Sequence, residues 1–491
     1  LPAVGGYFPH ERRAVSIKLA RAVLFLLVVA TTRTAFAQTN SQVNSGILFD
    51  FPLPGARSLG MGGAFVAVAD DPTASTANPA GLATLSRPQV SIEGRFWRFS
   101  NLAVVRGHAF GAPTGVGADS VAGLVDGEFI DKNAGVSFLS FVLPMGKFAV
   151  GGYRHEQARY KANFESEGPF LTVPGSEDRV EPFRGRLDLN VVNYGGAVAY
   201  RFDNGVSVGG GLALSTFSLD SNTTAYADPP PLYLVSPAQR SQYTGLGQGY
   251  GPPNFADSNR LLIVDEGGDD TGVSTTAGIL IRPTGSMWSA GASIRLGPKF
   301  SYPAKAVFGP AALPVEDIGR VIDEEIVPFK VPDTYSVGVS LRPKDPLLLS
   351  LQFDRVQFSQ LSEDIQEVFG IDTTNPPAAK AITEGLRFPD SNQIKAGAEY
   401  AFVRGGGRTI LLRMGSAYET DHRMRYENPN PPCGSADNPC FQRLEVLFRP
   451  GDNVWHVMPG FGLVFPRIQI DGAFDISSRT QSAALSAVYR F

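Results

Sequence analysis

From Arg87 to Phe491 the chain alternates apolar and polar residues with a period of two, broken by clusters of turn residues. In 392–402, Ile394, Ala396, Ala398, Tyr400 and Phe402 share one face, and Gln393, Lys395 and Glu399 share the other. In 467–477, Ile468, Ile470, Phe474 and Ile476 oppose Arg467, Gln469, Asp471 and Asp475. In 347–355, Leu347, Leu349, Leu351 and Phe353 oppose Ser350, Gln352 and Asp354. Such alternation marks strands with two unlike faces. A soluble sandwich alternates as well. Here the polar face repeatedly carries charges of both signs, which suits a wet lumen inside and lipid outside. The pattern predicts about fourteen strands, at 88–98, 134–144, 147–157, 186–202, 206–219, 271–283, 287–301, 333–343, 347–358, 390–402, 408–420, 454–465, 467–477 and 480–491. In 186–202 the apolar face passes from Leu187, Leu189 and Val191 to Val192, Tyr194, Val198, Tyr200 and Phe202, a one-residue slip that predicts a β-bulge.

The connections alternate in length. Short ones hold turn residues, as at Asp203-Asn204-Gly205 and Thr284-Gly285-Ser286. Long, polar, Pro-rich stretches lie between them, near 99–134, 158–185, 220–270, 302–332, 359–389 and 421–453. A compact soluble domain rarely carries so many long loops. A transmembrane antiparallel β-barrel does, with short periplasmic turns and long external loops, and an even strand number puts both ends on the periplasmic side. Within the loops, Val315 to Ile326 is expected to form a short amphipathic helix, its stripe being Val315, Ile318, Val321, Ile322 and Ile326. Leu232, Tyr233 and Leu234, in a loop of mixed apolar and polar character, are candidate ligand contacts. Asp265 to Asp270 reads as a solvated acidic turn rather than a cation site. Trp97, Trp288 and Trp455 fall near strand ends, where an amphipathic ring suits a membrane interface, and the last strand ends on the aromatic Phe491.

Composition narrows the class. The net charge of −4 excludes a broad cationic surface for nucleic acid, and 54 glycines and 37 prolines disfavour long helices. Arg12, Arg13, Lys18 and Arg21 precede the apolar run Ala22 to Ala30, and Ala35-Phe36-Ala37 fits a cleavage site, so 1–37 reads as a signal peptide. The two cysteines, Cys433 and Cys440, are expected to form a local disulfide in an exported loop rather than a metal site. The five histidines do not cluster and no nucleophile or zinc motif is present, so no enzyme activity, metal or cofactor is expected.

Between the leader and the first strand lies GARSLGMGGAFVAVADDPTASTANPAGLATL, Gly55 to Leu85, small and barely charged. Its GMGGAF is not a dinucleotide loop, because no strand precedes it and Asp70-Asp71 follow too early. The segment 38–87 is expected to be a hatch lying inside the barrel of 88–491.

Leu59-Gly60-Met61-Gly62-Gly63-Ala64, Val68-Ala69-Asp70-Asp71 and Asn78-Pro79-Ala80, followed by the strands IKAGAEY, LRMGSAY and the ending VYRF, resemble the FadL/TodX family of outer-membrane transporters for long-chain fatty acids and other hydrophobic compounds. The resemblance implies a fourteen-strand barrel with an N-terminal hatch, passive uptake of a hydrophobic small molecule and lateral exit through the wall. It further implies partnership with outer-membrane lipid and lipopolysaccharide, and recognition of the last strand by the barrel-assembly machinery. Gly60, Gly62, Gly63, Asp70, Asp71, Asn78, Pro79 and Ala80 become hatch or gating candidates, and Phe65 and Val68 candidate ligand contacts. The same hatch also resembles PorV-like barrels that hold secreted protein cargo, which is the alternative reading.

Overall fold

The computed structural model describes residues 47–173, 176–227, 251–311, 317–361, 385–404, 407–427 and 444–491. The leader, Leu232 to Leu234 and the cysteine pair lie outside them. Fourteen antiparallel strands form a closed barrel: β1 Gln89–Ala109, β2 Gly123–Met145, β3 Phe148–Ser166, β4 Phe183–Arg201, β5 Val206–Tyr226, β6 Arg260–Ile281, β7 Trp288–Leu296, β8 Thr334–Lys344, β9 Leu347–Val356, β10 Ser391–Arg404, β11 Arg408–Glu419, β12 Val454–Val464, β13 Ile468–Ile476 and β14 Thr480–Arg490. Closure is made by β1 against β14, from Gln89↔Arg490 to Phe99↔Thr480. Near the short turns each of the fourteen strands is paired on both sides, which is what a bilayer demands of a sheet.

Near the short turns the strands follow the expected phase. Leu212, Val273, Val339, Leu351 and Leu485 face outward and are exposed, while Ser91, Glu93, Ser207, Ser340, Gln352, Glu399 and Asp471 are buried inside. Toward the long loops the phase inverts. Trp97, Phe99, Tyr160, Phe164, Leu187, Leu189 and Phe217 face inward and are buried, whereas Arg184, Arg186 and Asp220 are exposed outside. The strands of the first half therefore run beyond the apolar band: β1 ends at Ala109, β5 at Tyr226, and β6 begins at Arg260. Much of the expected loop sequence in 99–134, 158–185 and 220–270 is strand of this second kind.

This inversion corrects the expected bulge in 186–202. The inward positions of β4 stay in register from Phe183 to Ala199, with Leu187, Leu189 and Val191 inside and Tyr194 and Val198 outside. The bulge belongs to the neighbouring β3, where Glu156 pairs with Val192 and Ala158 with Val191, leaving Gln157 extra.

Three further expectations change. The stretch 287–301 breaks after Leu296, and Lys299–Phe308 pairs instead with the outer part of β6 and with Val321–Lys330. The helix expected over Val315 to Ile326 is therefore strand from Val321 on; its branched apolar residues fit a ladder as well as a stripe. Asp265 to Asp270 lies within β6, where Asp265 accepts from Asn222 and Asp270 from the Ser301 amide. Trp288 and Trp455 are exposed near strand ends, but Trp97 points into the barrel at 5% exposure.

Candidate functional site

The segment before β1 packs against inward-facing wall positions near the short-turn end. It holds two short helices, α1 (Ala56–Gly60) and α2 (Ala74–Ala77), then a 3-10 turn at Pro79–Thr84. Most of its residues are buried. The wall makes room with glycine. A Cβ on Gly209 would stand 2.4 Å from the Ala80 nitrogen, and one on Gly278 2.1 Å from Asn78 Oδ1. On Gly291 it would stand 2.3 Å from the Val66 carbonyl, on Gly397 2.3 Å from that of Met61, and on Gly415 2.0 Å from the Gly62 nitrogen. Gly338 and Gly460 complete this belt against Val66 and Gly60. Glycine inside a strand usually marks such a backbone approach.

Polar wall groups hold the same segment. Gln352 Oε1 accepts from the Phe65 and Val66 amides, both at 2.8 Å. Glu93 Oε2 accepts from the Gly55 amide at 2.6 Å. Ser289 donates to the Ala67 carbonyl at 2.7 Å. A chain of charges runs from Asp70 to Arg57, Glu399, Arg413 and Asp471, with the Arg57–Glu399, Glu399–Arg413 and Arg413–Asp471 steps at 2.9, 2.7 and 2.8 Å. Burial opposes the charge on Arg57, but Asp70 and Glu399 outweigh it and hold the guanidinium protonated well above its ordinary range.

The expected gating residues all belong to this packing. Gly62 and Gly63 have φ of 68° and 74°, backbone that glycine adopts without strain. Asp71 is buried and accepts from the Thr73 amide and hydroxyl at 2.9 and 2.5 Å. Asn78, 0% exposed, donates to the Val66 carbonyl at 2.8 Å and to the Ile279 carbonyl of β6 at 3.0 Å, and accepts from the Ala80 amide at 3.2 Å. Asn78 is thus both the N-cap of the Pro79 turn and a tie to the wall. Phe65 and Val68 pack with Met61, Ala77 and Leu348 in a small cluster of their own.

A larger apolar core lies toward the long loops and was not foreseen as a site. It is lined by the inverted faces of β1, β3, β4 and β5 and by Phe300, Tyr302, Phe358 and Phe388. Phe217 stacks on Phe300 at 4.9 Å. Ile47 and Phe49, at the start of the described chain, sit in this core. His422 Nε2 donates to the Phe49 carbonyl at 2.7 Å, and the Tyr160 hydroxyl meets the Asp50 backbone. Burial, then Glu419, pushes the Asp50 carboxyl up to about 6.

Beside this core the wall is weakened. The β2–β3 ladder ends at Phe138↔His155, and both strands continue beyond without pairing to each other. Bulges flank that point, at Ser137 in β2 and Gln157 in β3. Beyond it, among the described residues, every hydrogen bond between the two strands involves a side chain: Asn133 donates to the Arg159 carbonyl at 3.2 Å, and Asp131 accepts from the Asn163 amide at 3.3 Å and from Asn163 Nδ2 at 3.2 Å. On the outer surface Val136 and Leu139 are exposed where the ladder ends, and Lys161, Asn163 and Glu165 line the β3 side beyond it.

Residues 51–427 match the family model of outer membrane protein transport proteins (OMPP1/FadL/TodX). Among solved structures, a FadL homologue of Pseudomonas aeruginosa is similar over 90% of this chain and 100% of its own, at 13% identity and a TM-score of 0.58. The toluene transporter TodX of P. putida is similar over 90% and 99%, at 14% identity and a TM-score of 0.53. The monoaromatic hydrocarbon channel CymD is similar over the same shares, at 15% identity and a TM-score of 0.51. These likenesses are to the fold. No curated protein matches the chain.

Proposed function

The chain belongs to the OMPP1/FadL/TodX family and is an outer-membrane β-barrel, and from that premise we propose that it takes up hydrophobic small molecules passively across the outer membrane. The observation that carries this reading is the apolar core enclosed by the inverted outer half of the barrel. A molecule that leaves water for this core gains roughly 25 cal/mol per Å² of apolar surface covered. The glycine-seated N-terminal segment acts as a plug that closes the aqueous path toward the periplasm. The exit is the unpaired stretch between β2 and β3, beside the apolar core, opening at the level of Val136 and Leu139. No energy source is needed, because each step joins one apolar environment to the next. Long-chain fatty acids and aromatic hydrocarbons are the substrates to try first.

The test closes the exit. In a background with Cys433 and Cys440 replaced by serine, Asp131→Cys with Asn163→Cys places two thiols across the unpaired stretch. Uptake of labelled oleate or toluene by cells carrying the chain should fall at least tenfold on oxidation and return on reduction. Unchanged uptake with the crosslink formed would sink the lateral route. Uptake no higher than in cells lacking the chain would sink transport altogether, and a co-purifying protein with no bound apolar compound would favour the cargo-binding alternative.

A further inference from the structure

The lipid-facing wall over β7 to β11 carries a trough of about 730 Å³. Its floor is Ala396 and Ala398, its sides are Leu349 and Leu351 on β9 and Met414 on β11, and Trp288 stands at one end. The register explains the shape. Leu349, Ala398 and Met414 form one row across the three strands, and Leu351 and Ala396 belong to the next. Two alanines thus sit low between long side chains. Packing inside the barrel does not require them to be small, because the inward positions that meet the plug are their neighbours Gly397 and Gly415.

The outward column of β10 continues through Tyr400 and Phe402, both exposed, to Arg404. Arg404 is the direct cross-strand partner of Arg408 on β11. Both arginines are exposed, and among the described residues neither side chain has a hydrogen bond or an ion pair. Like charges set directly opposite each other destabilise a sheet, so this pair is unfavourable unless an anion shares it. It lies at the periplasmic end, beside the short β10–β11 turn. From Ala398 to Arg404 is about 20 Å along the strand at ~3.3 Å per residue. Tilted, that span matches one leaflet of a bilayer whose hydrocarbon is about 30 Å thick.

We propose that this surface binds one anionic phospholipid of the periplasmic leaflet, its phosphate between Arg404 and Arg408 and an acyl chain in the trough. Arginine suits phosphate because its planar fork can donate two parallel hydrogen bonds. Two cations favour a headgroup with net negative charge over a zwitterionic one. The trough, set in the membrane, offers a chain more contact than a flat wall does.

The test is native mass spectrometry of the full chain in detergent, titrated with dioleoyl phosphatidylglycerol or dioleoyl phosphatidylcholine. The expected result is one retained phosphatidylglycerol. Arg404→Gln with Arg408→Gln should weaken it at least tenfold and leave phosphatidylcholine unchanged. Ala396→Leu with Ala398→Leu, which fills the trough, should weaken both lipids at least tenfold. Leu212→Ala, on an outward face elsewhere in the barrel, should change neither. Heat-modifiable gel mobility reports folding of each variant; if the leucine pair misfolds, the arginine pair alone decides. Equal retention by native chain and arginine variant overturns the proposal. So does a dimer that forms without lipid and is lost on filling the trough, since the occupant would then be a second copy.

Discussion

Asn78 and Gly278 offer the sharpest test of how the plug is held. Asn78→Ala removes three hydrogen bonds, to Val66, Ile279 and Ala80. At about 1 kcal/mol net each, that is about 3 kcal/mol, or roughly a hundredfold rise in the undocked population. Gly278→Ala attacks the same contact from the wall, because its Cβ would lie 2.1 Å from Asn78 Oδ1 and 2.9 Å from Cγ. The Asn78 side chain would have to leave, so the single variant should lose as much or more. In the double variant the clashing atoms are gone, and the next atom near that Cβ, the Ala292 carbonyl oxygen, is at a tolerable 3.2 Å. The double variant should therefore resemble Asn78→Ala alone, a coupling of about 3 kcal/mol or more in a double-mutant cycle. Conductance in planar bilayers reads the undocked fraction, since a seated plug should be nearly silent. If the two losses simply add, the Asn78–Gly278 contact does not seat the plug and the argument fails.

Three further outcomes are expected. Gln352→Leu leaves the Phe65 and Val66 amides without their acceptor, at about 1–3 kcal/mol each, and should open steady conductance in planar bilayers; a silent variant would show that these two bonds do not hold the segment. Asp50 is raised from 3.8 to about 6 in the docked segment, so between those values it is protonated there while an undocked Asp50 is already ionised. Docking of 47–54 should thus be tightest below about pH 4, weaken by about 2–3 kcal/mol up to pH 6, and stay level above, with Asp50→Asn flat; a spin label at Leu48→Cys that is equally immobile from pH 4 to 7 would contradict this. In a Trp288→Phe, Trp455→Phe background the emission of Trp97, which faces the apolar core, should shift as oleate or toluene binds, and Phe217→Ala should weaken that titration at least tenfold; no shift with either compound would move the binding site elsewhere.

The strand count and the alternation of turns and loops were legible because each strand writes its two faces into the sequence. Which face meets lipid is not written in one strand. The exchange at Val191 and Val192 was visible, but a slip and a change of surroundings give the same string, and only the neighbouring strands distinguish them. The outer extensions of β1, β5 and β6 were hidden for the same reason, since their exposed faces are as polar as loops. Asn78-Pro79-Ala80 stood out in the sequence through its resemblance to the family's box, whereas the capping of the Pro79 turn by Asn78 and its tie to β6 are seen only in the fold. The belt of wall glycines was missed, although it left a signal: Gly278, Gly338, Gly397 and Gly415 all sit on the polar face, where a strand gains nothing from lacking a side chain unless something presses on it. Val321 to Ile326 shows the reverse failure, for a short run of branched residues fits either a helix stripe or a ladder until a partner strand is known.

The seating of the plug also constrains the order in which the molecule is made. The plug precedes every strand, yet Arg57 pairs with Glu399 and the Phe65 amide with Gln352, 342 and 287 residues onward. Its first residues are synthesised long before the wall that receives them. Docking must wait until the last third of the chain is in place, so a partly built sheet holds an unseated plug, and contacts this distant in sequence form slowly. Closure of β1 on β14 and seating of the plug then become late, linked events, and a substitution in the glycine belt should show itself first as slow assembly.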